Sequence, residues 1–371
     1  MRLAPRLARA AAELGRRAAE AGLRAAVVGG CVRDALLERT MRDLDVAVEG
    51  DAEALARKCA ADWGVSCETF GRFGTARLAW ASGERLDVAR ARTEHYPEPA
   101  ALPVVSPATI EEDLKRRDFT VNAMARLLTP DGVGKRLDPF RGETDLDSKI
   151  LKVLHRQSFR DDPTRLFRGA RYAGRLGLKP DAETAELIKE SVARKDPALV
   201  SRERLRQELW RILEERDPGP ALGLCRKWGL GEFLHADFRA PAKLDAHPGA
   251  LTRLGLIAFS MGEAGEDFVA SFPFPREEAS AVKTALAAAK AKATPAQVLS
   301  EAAAKILHAA FPDLPKAATK ARLVTGANLI AAGQKPGPGF MKVLEEAAAE
   351  QWAGRIGTAG EAGEWVTKRL G

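Results

Sequence analysis

Apolar and polar positions alternate in two different ways along this chain, and the change falls near residue 138. Upstream, short runs with a two-residue period or continuous β-branched character read as strands at residues 25–28, 44–48, 65–70, 75–80 and 85–89. Stretches with apolar residues three and four apart read as helices at residues 3–21, 32–38, 52–63 and 117–125, with Asp51 placed to cap the third. Residues 92–110 carry Pro97, Pro99, Pro103 and Pro107, whose missing amide donors point to a surface loop. Downstream, Ala/Leu/Arg/Glu-rich stretches with helical period dominate to the C-terminus, broken by turns such as Asp217-Pro218-Gly219-Pro220. The pattern describes a small α/β or α+β unit followed by an all-helical part. It divides as a head over residues 1–138, a neck over 139–220, and a body and tail over 221–371.

At 371 residues the chain is longer than a single core usually supports, which favours cooperating units. No apolar run approaches the roughly 20 residues that span a bilayer, so the expectation is a soluble, cytoplasmic protein. The Ala/Arg-rich start contains Glu13 and Glu20, lacks Ser, and reads as a structural amphipathic helix rather than a targeting segment. Four cysteines form no CxxC pair and the five histidines form no zinc pattern, which excludes those metal classes and suggests reduced thiols. A net charge of +7, with basic residues crowded at Lys115-Arg116-Arg117 and at 202–206, favours a polyanionic partner.

The chemistry begins at Asp43-Leu44-Asp45, which opens the apolar run Val46-Ala47-Val48. On a strand, alternate side chains share a face, so both carboxylates point the same way and can hold hard divalent ions between them. Mg²⁺ suits such oxygen ligands and shares its shell with nucleotide phosphates. Upstream, Gly29-Gly30-Cys31-Val32-Arg33-Asp34 turns a strand into a helix start, where glycines permit close approach to a triphosphate and Arg33 can add a charged contact. Each feature alone also reads blandly, as a solvated edge, a tight turn or a surface ion pair.

Together, the run from Val27 through Gly29, Gly30, Arg33, Asp34 and Leu36-Leu37 to Arg42-Asp43-Leu44-Asp45-Val46 closely resembles the first motif of class II CCA-adding enzymes and bacterial poly(A) polymerases. The resemblance implies an α+β fold, with a mixed-sheet head of the DNA polymerase beta nucleotidyltransferase type followed by an all-helical neck, body and tail. A third carboxylate on a neighbouring strand is usual in that superfamily, and Asp87 is the candidate, with a structural Asp at the sheet margin as the alternative. Arg116-Arg117-Asp118-Phe119-Thr120-Val121-Asn122-Ala123 is similar to the second motif, which implies contact with ribose and the incoming nucleotide. Arg117 can meet phosphate, while Asp118 or Asn122 can pair with a 2′-hydroxyl; Asp118 could otherwise cap a helix.

Farther on, Arg160-Asp161-Asp162-Pro163-Thr164-Arg165-Leu166-Phe167-Arg168 resembles the motif that selects a base without a template. Asp162 and Arg165, three apart, would project from one helix face as an acceptor and a donor. Cytosine and adenine both offer an amino donor beside a ring-nitrogen acceptor, whereas uracil and guanine reverse that order. An i,i+3 salt bridge is the bland alternative, and Arg168, Arg171 and Arg175 extend a basic stripe that could follow phosphate. Asp138-Pro139-Phe140-Arg141-Gly142 and residues 201–208 resemble a hinge and a neck-stabilising helix. The implied activity is transfer of CMP and AMP from CTP and ATP to the tRNA 3′ end. Partial CC or A addition, a poly(A) polymerase, or a non-catalytic RNA-binding protein are the competing readings.

Overall fold

The computed structural model describes residues 3–71, 74–241, 243–290, 299–312, 322–352 and 355–370. It comprises two compact units, Met1–Val200 and Ser201–Gly371. The segment expected as the start of a separate neck, up to residue 200, therefore packs with the head.

In the first unit, α1 (Pro5–Glu20), β1 (Ala25–Val28), α2 (Gly30–Leu36), β2 (Asp43–Val48) and α3 (Ala52–Trp63) lead into β3 (Ser66–Phe70), β4 (Thr75–Ala79) and β5 (Arg85–Arg90). Next come β6 (Arg92–His95), β7 (Val104–Pro107), α4 (Ile110–Lys115), a 3-10 turn at Thr120–Asn122, β8 (Ala125–Thr129) and β9 (Gly132–Leu137). The unit closes with α5 (Gly142–Asp147), β10 (Ile150–Leu151), α6 (Ser158–Asp161), α7 (Thr164–Leu176), β11 (Lys179–Pro180) and α8 (Ala182–Ala193). Seven strands form one sheet in the order β3-β4-β5-β2-β1-β8-β9. Its β2–β5 pair is parallel and its other pairs are antiparallel, so the sheet is mixed.

The pleat of β2 decides where the chemistry goes. Leu44, Val46 and Val48 join the core formed with Leu7, Leu14, Leu55 and Cys59 of α1 and α3. The opposite face takes Asp43, Asp45 and Ala47, and there Ile110 and Leu114 of α4 pack with Ala47, Ala26 and Val28. Apolar cover thus reaches Ala47 and leaves the two carboxylates exposed.

Several expectations need correction. Residues 92–110 are not an irregular loop: β6 and β7 form a hairpin from Arg92↔Pro107 to His95↔Val104, and a Thr109–Glu112 capping box starts α4. Three of the four prolines fall in the connection or beside its strands, and Pro107 ends a strand in its own two-stranded sheet, where a missing donor is tolerated. The helix expected at 117–125 is absent. Asp118 instead accepts hydrogen bonds from the Phe119 amide at 2.8 Å and from Asn122 Nδ2 at 2.9 Å, local bonds that compete with a helical ladder. Strands β8 and β9 went unread in the sequence.

The second unit is helical: α9 (Arg202–Glu214), α10 (Gly219–Lys227), α11 (Gly231–Leu234), α12 (Ala250–Ser260), α13 (Ala264–Ala270), α14 (Arg276–Lys290), α15 (Glu301–Ala310), α16 (Gly326–Ala331), α17 (Pro338–Trp352) and α18 (Ala359–Leu370). Two arginines staple its loops through carbonyl oxygens. Arg202 donates to Phe233, Leu234 and Ser271 carbonyls at 2.8–3.0 Å and lies 3.7 Å from the centre of the Phe272 ring. Arg253, buried, reaches the carbonyls of Leu213, Glu215, Arg216, Leu244 and His247. The basic cluster at 202–206 is accordingly not an open polyanion surface throughout, since Arg202 faces inward and Arg206 pairs with Glu203. No described helix is long and apolar enough to cross a membrane.

Candidate active site

Register brings three carboxylates to one sheet face. Asp45 of β2 lies directly opposite Asp87 of β5, and Asp43 opposite Arg85. Asp87 is gripped in turn by its partner across β4, Arg77, with Nε and Nη2 each 2.8 Å from a carboxylate oxygen. Asp43 accepts from Arg85 Nε at 3.1 Å in an exposed pair. Asp45 keeps an accessible edge. The protein packed around its carboxyl group and, after that, the Asp87 charge hold it above the usual carboxylate range, with Arg117 opposing. Arg77 was not anticipated; only the strand register singles it out.

These residues suit a hard cation. Among the described residues no three of His, Cys, Asp and Glu enclose a metal by themselves. A divalent ion that keeps several waters and takes further oxygens from phosphates needs only one or two carboxylates, which Asp43 and Asp45 supply.

Above the strand ends sits the glycine turn. Gly29 has φ +67°, a backbone that side chains disfavour, and a β-carbon there would run into the Arg117 guanidinium. Arg117 is itself anchored to buried Asp113, its Nη2 2.9 Å from Oδ2, and its charge acts on Asp45. Cys31, next along the chain from Gly30, is buried against β2, and burial and then the Asp45 charge push its thiol pKa up.

The second motif forms a buried network rather than an open wall. Asn122 Nδ2 donates to Asp118 Oδ1, and Arg168 donates to Asp118 Oδ2 through Nε at 2.8 Å and Nη2 at 2.6 Å. Burial would raise the Asp118 pKa, but Arg168 and Asn122 overcome it and hold the group near about 2. Arg33, only 3% exposed, binds Asp34 and the Asn122 amide oxygen. Arg33, expected to add a charged contact to the triphosphate, is buried here and braces Asn122. Tyr172, also unanticipated, gathers Arg33, Arg168, Arg171 and Arg175 within 4.5–5.7 Å of its ring centre.

The expected base-reading pair does not share a helix. Asp162 is extended between α6 and α7, where its Oδ1 accepts from the Thr164 amide at 3.0 Å and hydroxyl at 2.6 Å. Pro163, at the start of α7, has no amide to continue α6. Arg165, in the first turn of α7, is buried, donating to Ser158 Oγ and the Arg116 carbonyl at 2.8 Å each. Its guanidinium lies 6.0 Å from the Tyr96 ring centre, and Tyr96 donates to Glu94, which also holds Arg92 and Arg116.

Residues 25–152 match the poly(A) polymerase head domain family model. The chain is 41% identical over 210 residues to an A-adding tRNA nucleotidyltransferase of Geobacter sulfurreducens, a match covering 57% of this chain and 24% of that protein. Across three such A-adding relatives it spans 24% to 45% of their length. A Thermotoga maritima CCA-adding enzyme solved in complex with tRNA superimposes with TM-score 0.63 at 25% identity, covering 100% of this chain and 97% of that one. A CC-adding tRNA nucleotidyltransferase of Deinococcus radiodurans is 32% identical over 343 residues, covering 90% of this chain and 86% of the relative. Matched along nearly its whole length to that relative, the chain belongs to the tRNA nucleotidyltransferase family.

Proposed function

We propose that this protein adds CMP and AMP, taken from CTP and ATP, to the 3′ end of tRNA without a nucleic-acid template. The observation that carries this reading is the placement of Asp43, Asp45 and Asp87 on one face of the parallel β2–β5 pair, beside the glycine turn. The terminal 3′-oxygen of the RNA attacks the α-phosphorus, the bond to the bridging oxygen breaks, and pyrophosphate leaves. The family works with divalent ions, and Asp43 and Asp45 would hold Mg²⁺, which would lower the cost of charge on both oxygens. The chain's residues provide position: Gly29 and Gly30 let backbone approach the triphosphate, with Arg117 behind them. Arg168 and Asn122, the latter braced by Arg33, hold Asp118 beneath the sugar site, and Asp162 with Arg165 present an acceptor and a donor to the base edge. A tRNA-bound structural relative supports the RNA partner, as does the net charge of +7. A cytoplasmic location belongs to the same reading.

A second reading is CC addition alone, because the relative matched along 90% of this chain bears that name. Incorporation into tRNA transcripts ending at the discriminator base, after C and after CC, with CTP, ATP or both, separates the two. Ordered completion of all three transcripts supports the full activity, and a stop after CC supports the second reading. Long A-tails on unrelated RNA would indicate a poly(A) polymerase. No incorporation by a metal-loaded enzyme, with Asp43→Ala indistinguishable from it, would leave an RNA-binding protein.

A further inference from the structure

We propose that the Cys31 thiol is a positioning residue for the Asp45 carboxylate, joining the start of α2 to the reactive end of β2. The proposal rests on the metal-carboxylate reading above and on a gap in the sheet. Strand β5 pairs with β2 along its full length, Asp43 to Val48, but β1 pairs only with Val46, Ala47 and Val48. Where β1 gives way to the Gly29 turn, one edge of β2 loses its strand partner beside the two carboxylates.

Cys31 occupies that edge. Its sulfur accepts the Asp45 backbone amide at 3.3 Å and lies 3.5 Å from the Asp43 carbonyl and 3.7 Å from Asp45 Oδ2. The residue is 7% exposed and belongs to the core beneath the site. One atom thus replaces the missing backbone acceptor for Asp45 and offers its hydrogen either to the carboxylate or to the Asp43 carbonyl. A weak donor suits the place. It steadies the carboxylate, yet can turn to the carbonyl when that oxygen is needed for a cation, whereas a strong donor would compete for the lone pair.

Three variants separate hydrogen bonding from filling space: Cys31→Val keeps bulk without a polar atom, Cys31→Ala removes both, and Cys31→Ser keeps donor and acceptor. The readouts are hydrogen exchange of the Asp45 amide and the dissociation constant for Mn²⁺, measured by its electron paramagnetic resonance signal, with Asp45→Asn as the control for specific binding. Cys31→Val and Cys31→Ala are expected to speed exchange about tenfold or more and to weaken Mn²⁺ binding about three- to tenfold, with Cys31→Ser recovering most of the protection. Wild-type exchange and binding in Cys31→Val would overturn the proposal, as would faster exchange with unchanged Mn²⁺ affinity. If Asp45→Asn binds Mn²⁺ as the native protein does, the metal reading itself falls and the positioning role with it. That outcome is recognised by the control alone.

Discussion

Arg77 and Asp87 face each other across β4 and β5 in a two-pronged ion pair, and the next residue in the same row is Asp45. Arg77 thereby screens one of two adjacent like charges. Asp45 still sits above the usual carboxylate range, first through the protein packed around its carboxyl group and then through Asp87. Since the ionised form binds a cation, Asp45 should lose Mn²⁺ as pH falls through its raised pKa. Asp87→Asn removes the second cause and leaves the first, so the acid limb of Mn²⁺ binding should move to lower pH without reaching that of a free carboxylate. An unmoved limb in a binding titration would show that Asp87 does not couple to Asp45.

Asp118 shows the opposite sign. Its pKa of about 2 lies below the ordinary value, so its charged form adds stability that is present at neutral pH and lost as pH falls from about 4 towards about 2. Asp118→Asn leaves Arg168 without its buried acid, and breaking such a pair typically costs about 3–5 kcal/mol. Urea midpoints at neutral pH should fall accordingly, and the gap between variant and native protein should narrow in the acid window. A pH-independent gap would mean that the lost stability comes from packing alone.

Much of this site was readable because its parts are local. Asp43 and Asp45 share a face by the period of a strand, and Asp51 caps α3 through the Ala54 amide at 3.0 Å as its sequence position suggests. What escaped reading depends on partners far along the chain. Arg77 acquires meaning only from its register with Asp87, and Tyr172 only from helix α7 lying against Arg33 of α2. The proline-bearing hairpin hid because two four-residue strands give too little alternation to register, and the Arg116–Glu94 pair that ties β6 to the end of α4 joins residues far apart in the chain. Asp162 and Arg165 were singled out by their motif, and the spacing suggested a shared helix that Pro163 interrupts.

That interruption sharpens the expectation for base choice. Arg165 is held by Ser158 Oγ and the Arg116 carbonyl, so its guanidinium is fixed before any base arrives. Arg165→Lys keeps the charge but not the planar fork that makes both contacts and on which the proposed contact with the base edge rests. Selectivity for CTP over UTP in single-nucleotide incorporation should fall about 10- to 100-fold, with a smaller change in the turnover of CTP. Equal losses for both nucleotides would assign Arg165 to holding the fold.

Gly29 supplies the last test. A β-carbon there meets two obstacles, a φ of +67° and the Arg117 guanidinium, which Asp113 holds in place. With φ +67° and ψ −131° the backbone lies in a region essentially reserved for glycine, so an alanine there is strained by about 1–3 kcal/mol, and relieving the contact requires Arg117 to move away from the turn. Gly29→Ala should therefore raise the KM for nucleotide by more than its modest loss of melting temperature would suggest. Arg117→Ala should raise KM too, and because the alanine at 29 displaces the same side chain, the double variant should be less than additive. Additive losses would show that the turn and Arg117 act on the nucleotide independently, and would leave the backbone angle as the sole requirement for glycine at this position.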